Sequence, residues 1–141
     1  MSLEFFNRLS GKLSIELTEA TEDIAGNLSN QRATATAEIV EVSFTPQVLR
    51  DGNFRELTVD ELDQVVLESA ALNLRSLGEP VAHQAPNGKW FTVRDLVAAV
   101  AETERRTRQQ SEWFGGMDVH HIFFEGIEED VDGAWTVYWG S

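Results

Sequence analysis

The C-terminal ribbon constrains this chain more than any other stretch. Residues 119–127 and 134–140 are rich in aromatic and β-branched side chains, and they flank an acidic connection ending in Asp132-Gly133, a pair that favours a tight hairpin turn. A two-residue loop there sets Trp139 opposite Gly126. Because side chains alternate between the faces of a strand, that register groups Trp135, Val137 and Trp139 with Ile122 and Phe124 on one face. His121, Phe123, Glu125 and Tyr138 share the other. The tryptophan face is expected to be core and the His121 face to be partly open.

Upstream, 141 residues are the length of one domain, so 1–141 reads as a single α+β domain around one core. Leu13, Ile15 and Leu17 alternate with Ser14, Glu16 and Thr18, a strand pattern. A short polar helix is predicted over 19–30. The run 33–45 reads as a second strand with Val40, Val42 and Phe44 on one face, ended by Pro46, and 47–57 reads as a loop around Asp51-Gly52-Asn53. Thr58 with Glu61 matches a capping box, and Val59, Leu62, Val66, Ala70, Leu74 and Leu77 follow at steps of three or four, predicting a helix that stops at Gly78 and Pro80. After a loop over 79–89 and a short extended piece at Lys89-Trp90-Phe91, Thr92 and Asp95 repeat the capping logic. Val93, Leu96, Val97, Val100 and Ala101 line the second helix. Beyond Glu102 its face turns polar, so its tail is expected to project past the core as far as Gly115-Gly116. This order predicts one largely antiparallel sheet of four to five strands, packed by two main helices and ending in a C-terminal β-hairpin.

Charge narrows the partners. Asp and Glu outnumber Lys and Arg 24 to 11, for a net charge of −13 and a pI near 4.5. Nucleic acid and anionic membranes are poor partners, since phosphate binding draws its affinity from Lys and Arg, and only Lys12 and Lys89 supply ammonium groups. A basic protein suits the balance better. With no cysteine there is no disulfide, thiolate zinc site, iron–sulfur cluster or cysteine nucleophile. No apolar run has the length of a signal sequence or a membrane span, which makes the cytoplasm the expected location.

Several constellations carry chemistry in other proteins. His120 and His121 are adjacent, so on a strand they face opposite ways, and His121 and Glu125 lie about 13 Å apart along an extended strand, so no metal is assigned to them. Glu128, Glu129, Asp130 and Asp132 before Gly133 resemble part of a calcium loop but lack its spacing and terminal glutamate, which favours a solvated turn. Arg105, Arg106 and Arg108 suit an anion. They equally suit a helix C-terminus, with Glu102 and Glu104 in pairing range. Trp113 and Phe114, ahead of Gly115-Gly116, are candidates for lining an apolar pocket whose polar groups are His121, Glu125 and Tyr138. No nucleophile elbow, Walker loop or dinucleotide glycine fingerprint occurs, and no cofactor is implied. The expected function is a non-catalytic protein-binding or adaptor module that engages a basic partner, as a monomer or homodimer. The alternative is a small enzyme or ligand carrier built on the aromatic pocket.

Overall fold

The computed structural model describes residues 3–17, 39–76, 78–108 and 121–140. The expected helix over 19–30, the first half of the expected strand over 33–45, and His120, Trp113, Phe114 and Gly115-Gly116 lie outside those residues. A short helix α1 (Leu3–Asn7) leads into β1 (Ser10–Leu17). Leu13 and Ile15 turn to the core, and Lys12, Ser14 and Glu16 are exposed, as their alternation predicts.

Strand β2 (Ile39–Arg50) runs antiparallel to β1, with Leu13 opposite Phe44 and Gly11 opposite Pro46. Pro46 does not end it. The Leu13 N–H donates to the Ile122 carbonyl at 2.8 Å, away from β2, so Leu13 and Phe44 form a non-hydrogen-bonded pair. Two residues on, Pro46 has the same orientation, and its missing N–H removes no bond to β1. The expected loop over 47–57 is a hairpin instead. Asp51 and Gly52 take φ of 53° and 81°, the double left-handed geometry whose twist matches that of two strands, and β3 (Asn53–Glu56) returns along β2.

The expected helix over 58–77 is also corrected. Its capping box exists, with Glu61 N–H donating to Thr58 Oγ1 at 3.2 Å and Thr58 N–H to the Glu61 carboxylate at 2.9 Å, yet α2 ends at Leu62 after one turn (Val59–Leu62). The chain then forms β4 (Val65–Leu67) and β5 (Ala71–Arg75). Steps of four satisfy a helical period and a two-residue period alike, so Val66, Ala70 and Leu74 could not separate the two. Leu72 separates them: Leu72 and Leu74 are buried while Ala71 and Asn73 are exposed, and β-branched Val65-Val66 favours the strand. Nor is 79–89 all loop, because β6 (Val81–Gln84) pairs with β5.

The element expected at Lys89-Trp90-Phe91 is β7 (Phe91–Thr92), which pairs with β4 in a separate two-stranded sheet. Helix α3 (Val93–Thr107) follows with its predicted box, Asp95 N–H to Thr92 Oγ1 at 3.2 Å and Thr92 N–H to the Asp95 carboxylate at 3.0 Å. Its Val93, Leu96, Ala99 and Val100 are buried, and it packs across β2 and β5. The ribbon β8 (Phe123–Glu129) and β9 (Trp135–Gly140) completes a seven-stranded sheet in the order β3-β2-β1-β8-β9-β5-β6. All its pairings are antiparallel except β5 with β9. A mixed sheet of seven strands with a second small sheet and one long helix among the described residues therefore replaces the expected four-to-five-stranded antiparallel sheet under two helices.

The ribbon's register differs from the expected one by a residue. Its turn is a three-residue loop in which Gly133 N–H donates to Asp130 O at 3.0 Å and Asp130 N–H to Ala134 O at 2.8 Å, with Gly133 at φ 90°. Val137 therefore faces Ile127 and Tyr138 faces Gly126. A bulge between Phe124 and Gly126, where Gly126 takes φ 119°, then sets Phe124 opposite Trp139. The slip and the bulge cancel, so Trp139 still joins Phe124 inside, 5.7 Å between ring centres, beside Phe6 and Phe44. Past the start of β1, the side chain of Asn7 takes the place of a neighbouring strand, accepting from Ile127 N–H at 2.8 Å and donating to Ile127 O at 3.1 Å.

Candidate functional site

One face of the seven-stranded sheet lies under α3 and α1; on the other, no helix packs among the described residues. The registers assign its side chains. Across β1 and β2 they are Lys12, Ser14, Glu16, Glu41, Ser43 and Thr45, with Leu49 and Phe54 paired at the β2–β3 tip. Phe123 stands beside Lys12, and Glu128 and Thr136 continue the face through Tyr138 on β8 and β9. Four large apolar side chains here remain open to solvent: Leu49, Phe54, Phe123 and Tyr138, with Phe123 48% exposed and Tyr138 42%. Exposed Glu125 and Glu128 lie beside Tyr138, and exposed Glu16 and Glu41 stand on the same face four residues along β1 from the Lys12–Phe123 pair.

Tyr138 and Glu125, both singled out from the sequence, line one shallow concavity of about 350 Å³ with Asn7, Gly126, Ile127 and Glu128. The Glu125 carboxylate lies against Gly140, where a side chain would leave it no room. Tyr138 does not bond to Glu125. Its hydroxyl donates to Glu128 Oε1 at 3.2 Å, and desolvation together with that carboxylate pushes its pKa above the usual tyrosine value. His121 lies apart from the concavity, half-buried at the foot of β8, where its carbonyl accepts from Arg108. Trp113 and Phe114 fall outside the described residues. The acidic turn is an ion-pair anchor: Arg75 reaches Asp130 at 2.7 Å and Asp132 at 3.2 Å, and Thr136 also donates to Asp130. Hydrogen bonds from Thr136 and Arg75 hold Asp130 below the ordinary carboxylate pKa, and the Ala134 N–H and Arg75 do the same for Asp132.

No protein-family model matches the chain, and no curated protein or solved structure matches it significantly. Its functional reading therefore rests on its own residues.

Sequence reasoning missed a second polar group, under α3. The tail of this helix does not project: Thr103, Glu104, Thr107 and Arg108 are all buried. Glu104 and Arg108, each with 0% side-chain exposure, pair at 2.6 Å, the Trp139 indole N–H donates to Glu104 at 3.0 Å, and the guanidinium lies 5.4 Å from the Trp139 ring centre. Arg105, by contrast, pairs on the surface with Glu102, so the arginine run divides between two environments. Its pairing with helix-face carboxylates was legible from the i, i+3 and i, i+4 spacing; the burial was not. Nearby, Thr103 donates its hydroxyl hydrogen to Ala99 O at 2.9 Å, so His83 Nε2, 2.7 Å away, is the donor to Thr103 Oγ1. Burial, then the Arg106 charge, pull the His83 pKa below its usual value, against Glu102.

This buried network fastens the end of α3 to β9 and β6. The open face has the chemistry of a contact surface: exposed aromatics, with carboxylates beside Tyr138 and farther along β1 and β2.

Proposed function

We propose that the chain is a non-catalytic protein-binding module that receives a basic partner on the open face of its seven-stranded sheet. The observation that carries this reading is the exposure of Phe123 and Tyr138 on that face, with Glu125 and Glu128 beside Tyr138 and Glu16 and Glu41 farther along β1 and β2. Aromatic anchors inside a polar rim are the usual anatomy of a protein interface, and a chain of charge −13 steers cationic partners toward it.

The test compares capture by the wild-type chain with capture by a Phe123→Ser/Tyr138→Ser variant and a Glu125→Lys/Glu128→Lys variant, over a rise in salt from about 50 to 300 mM. Basic proteins held by the wild-type chain should be released as salt rises, and both variants should lose them. Equal capture by all three chains contradicts the reading. A ligand carrier or small enzyme using His121, Glu125 and Tyr138 is favoured by one observation, the concavity that Glu125 and Tyr138 share. A salt-independent rise in melting temperature with a small neutral ligand, abolished by Tyr138→Ser, selects that alternative.

A further inference from the structure

The edge of β2 shows how such a partner can attach. Because the Leu13 N–H donates to the Ile122 carbonyl, on the side away from β2, its neighbour Phe44 and the next residue of like orientation, Val42, direct N–H and C=O away from β1. On that side β3 covers only Gln47–Arg50. Among the described residues no strand pairs with Val42 and Phe44 there. Pro46, without an N–H, bounds the open stretch at one end, and at the other Val40 is the extra residue where the β1–β2 register shifts.

The side chains along this edge specify the occupant. On the covered face the stretch presents Val42 and Phe44, which belong to the core or pack against it. On the open face it presents Ser43 and Glu41, and Glu41 stands directly opposite Glu16, two like charges in a cross-strand pair. A cation laid beside Glu41 would relieve that repulsion. A second copy of the chain would bring another charge of −13 to the same edge.

We propose that the β2 edge takes up an extended segment of the basic partner as an eighth strand. That segment sets apolar residues beside Val42 and Phe44 and Lys or Arg beside Glu41 and Ser43, so the site selects an alternating basic and apolar sequence. The proposal rests on the basic-partner reading above and adds to it the mode of attachment and the pattern recognised.

The probe is a peptide of about six residues alternating lysine and valine, against a peptide of the same composition with its lysines and valines in separate blocks. The full chain is followed by amide hydrogen exchange and by affinity. The alternating peptide is expected to slow exchange at Val42 and Phe44 at least roughly tenfold, and to bind at least roughly tenfold more tightly than the block peptide. Glu41→Lys, a change at an exposed position, should weaken it by a similar factor, and so should N-methylation of alternate peptide amides. If both peptides bind equally and shift the signals of Phe123 and Tyr138 without protecting Val42 and Phe44, strand addition is refuted while the open-face reading survives. If neither binds, strand addition is likewise refuted, and the capture experiment decides the open-face reading by itself.

Discussion

Glu104 and Arg108 put two full charges where the helix tail had been expected to meet water, and their partners make that placement stable. The pair is closed at 2.6 Å, and the Trp139 indole and the His121 carbonyl take up further bonding groups. Removing one member leaves the other charged and buried, so Arg108→Met should cost about 3–5 kcal/mol, whereas Glu104→Leu/Arg108→Met should recover most of that loss. Denaturant melts of the two variants check this; a double variant as unstable as the single one would show that the pair itself, rather than the orphaned charge, governs stability. His83 supplies a pH dependence. Its folded pKa lies below the unfolded value of about 6.5, so the unfolded chain binds the proton more readily, and stability is retained above that pH and lost as pH falls below it. Between pH 7 and 5 the wild-type melting temperature should fall further than that of His83→Gln. Glu61 has the same sign in a lower window: hydrogen bonds from Arg55 and the Thr58 N–H hold its pKa at about 2, so its contribution fades as pH drops from about 4.5 toward 2.

Elements separate into those set by adjacent residues and those set by distant ones. Thr92 and Asp95 marked the start of α3 correctly, because a capping box is closed within four residues. Thr58 and Glu61 marked the start of α2 equally well. The box says nothing of length, and an apolar stripe with a four-residue step does not distinguish a helix from β4 and β5. In the ribbon, the turn glycine was legible while the loop size and the bulge were not: the bulge lies beside the Asn7 side chain and the turn carboxylates pair with Arg75, both from far earlier in the chain. Gly126 holds φ 119° with Asn7 Oδ1 3.2 Å from where a side chain would begin, so Gly126→Ala should cost about 1–3 kcal/mol and lower the melting temperature accordingly. An unchanged melting temperature would mean that the bulge is absent, and with it the return of Trp139 to the core.

At the scale of the molecule, the strand order could not be read locally. Strand β5 lies parallel to β9, with Leu74 opposite Trp135, a contact between residues roughly sixty positions apart whose loop-closure cost leaves no trace in neighbouring residues. The candidate site was legible in part for the same reason. Glu125 and Tyr138 share a concavity because both sit on the ribbon, whereas Lys12, Glu16 and Glu41 reach the same face only through the pairing of β8 with β1 and of β1 with β2. All the functional inferences require that face to be open in the free chain. Relaxation enhancement by a neutral soluble gadolinium probe measures this directly. Strong enhancement is predicted for the side chains of Ser14, Ser43, Phe123 and Tyr138, with little at Leu13, Phe44 and Phe124; comparable shielding of both sets would contradict the account.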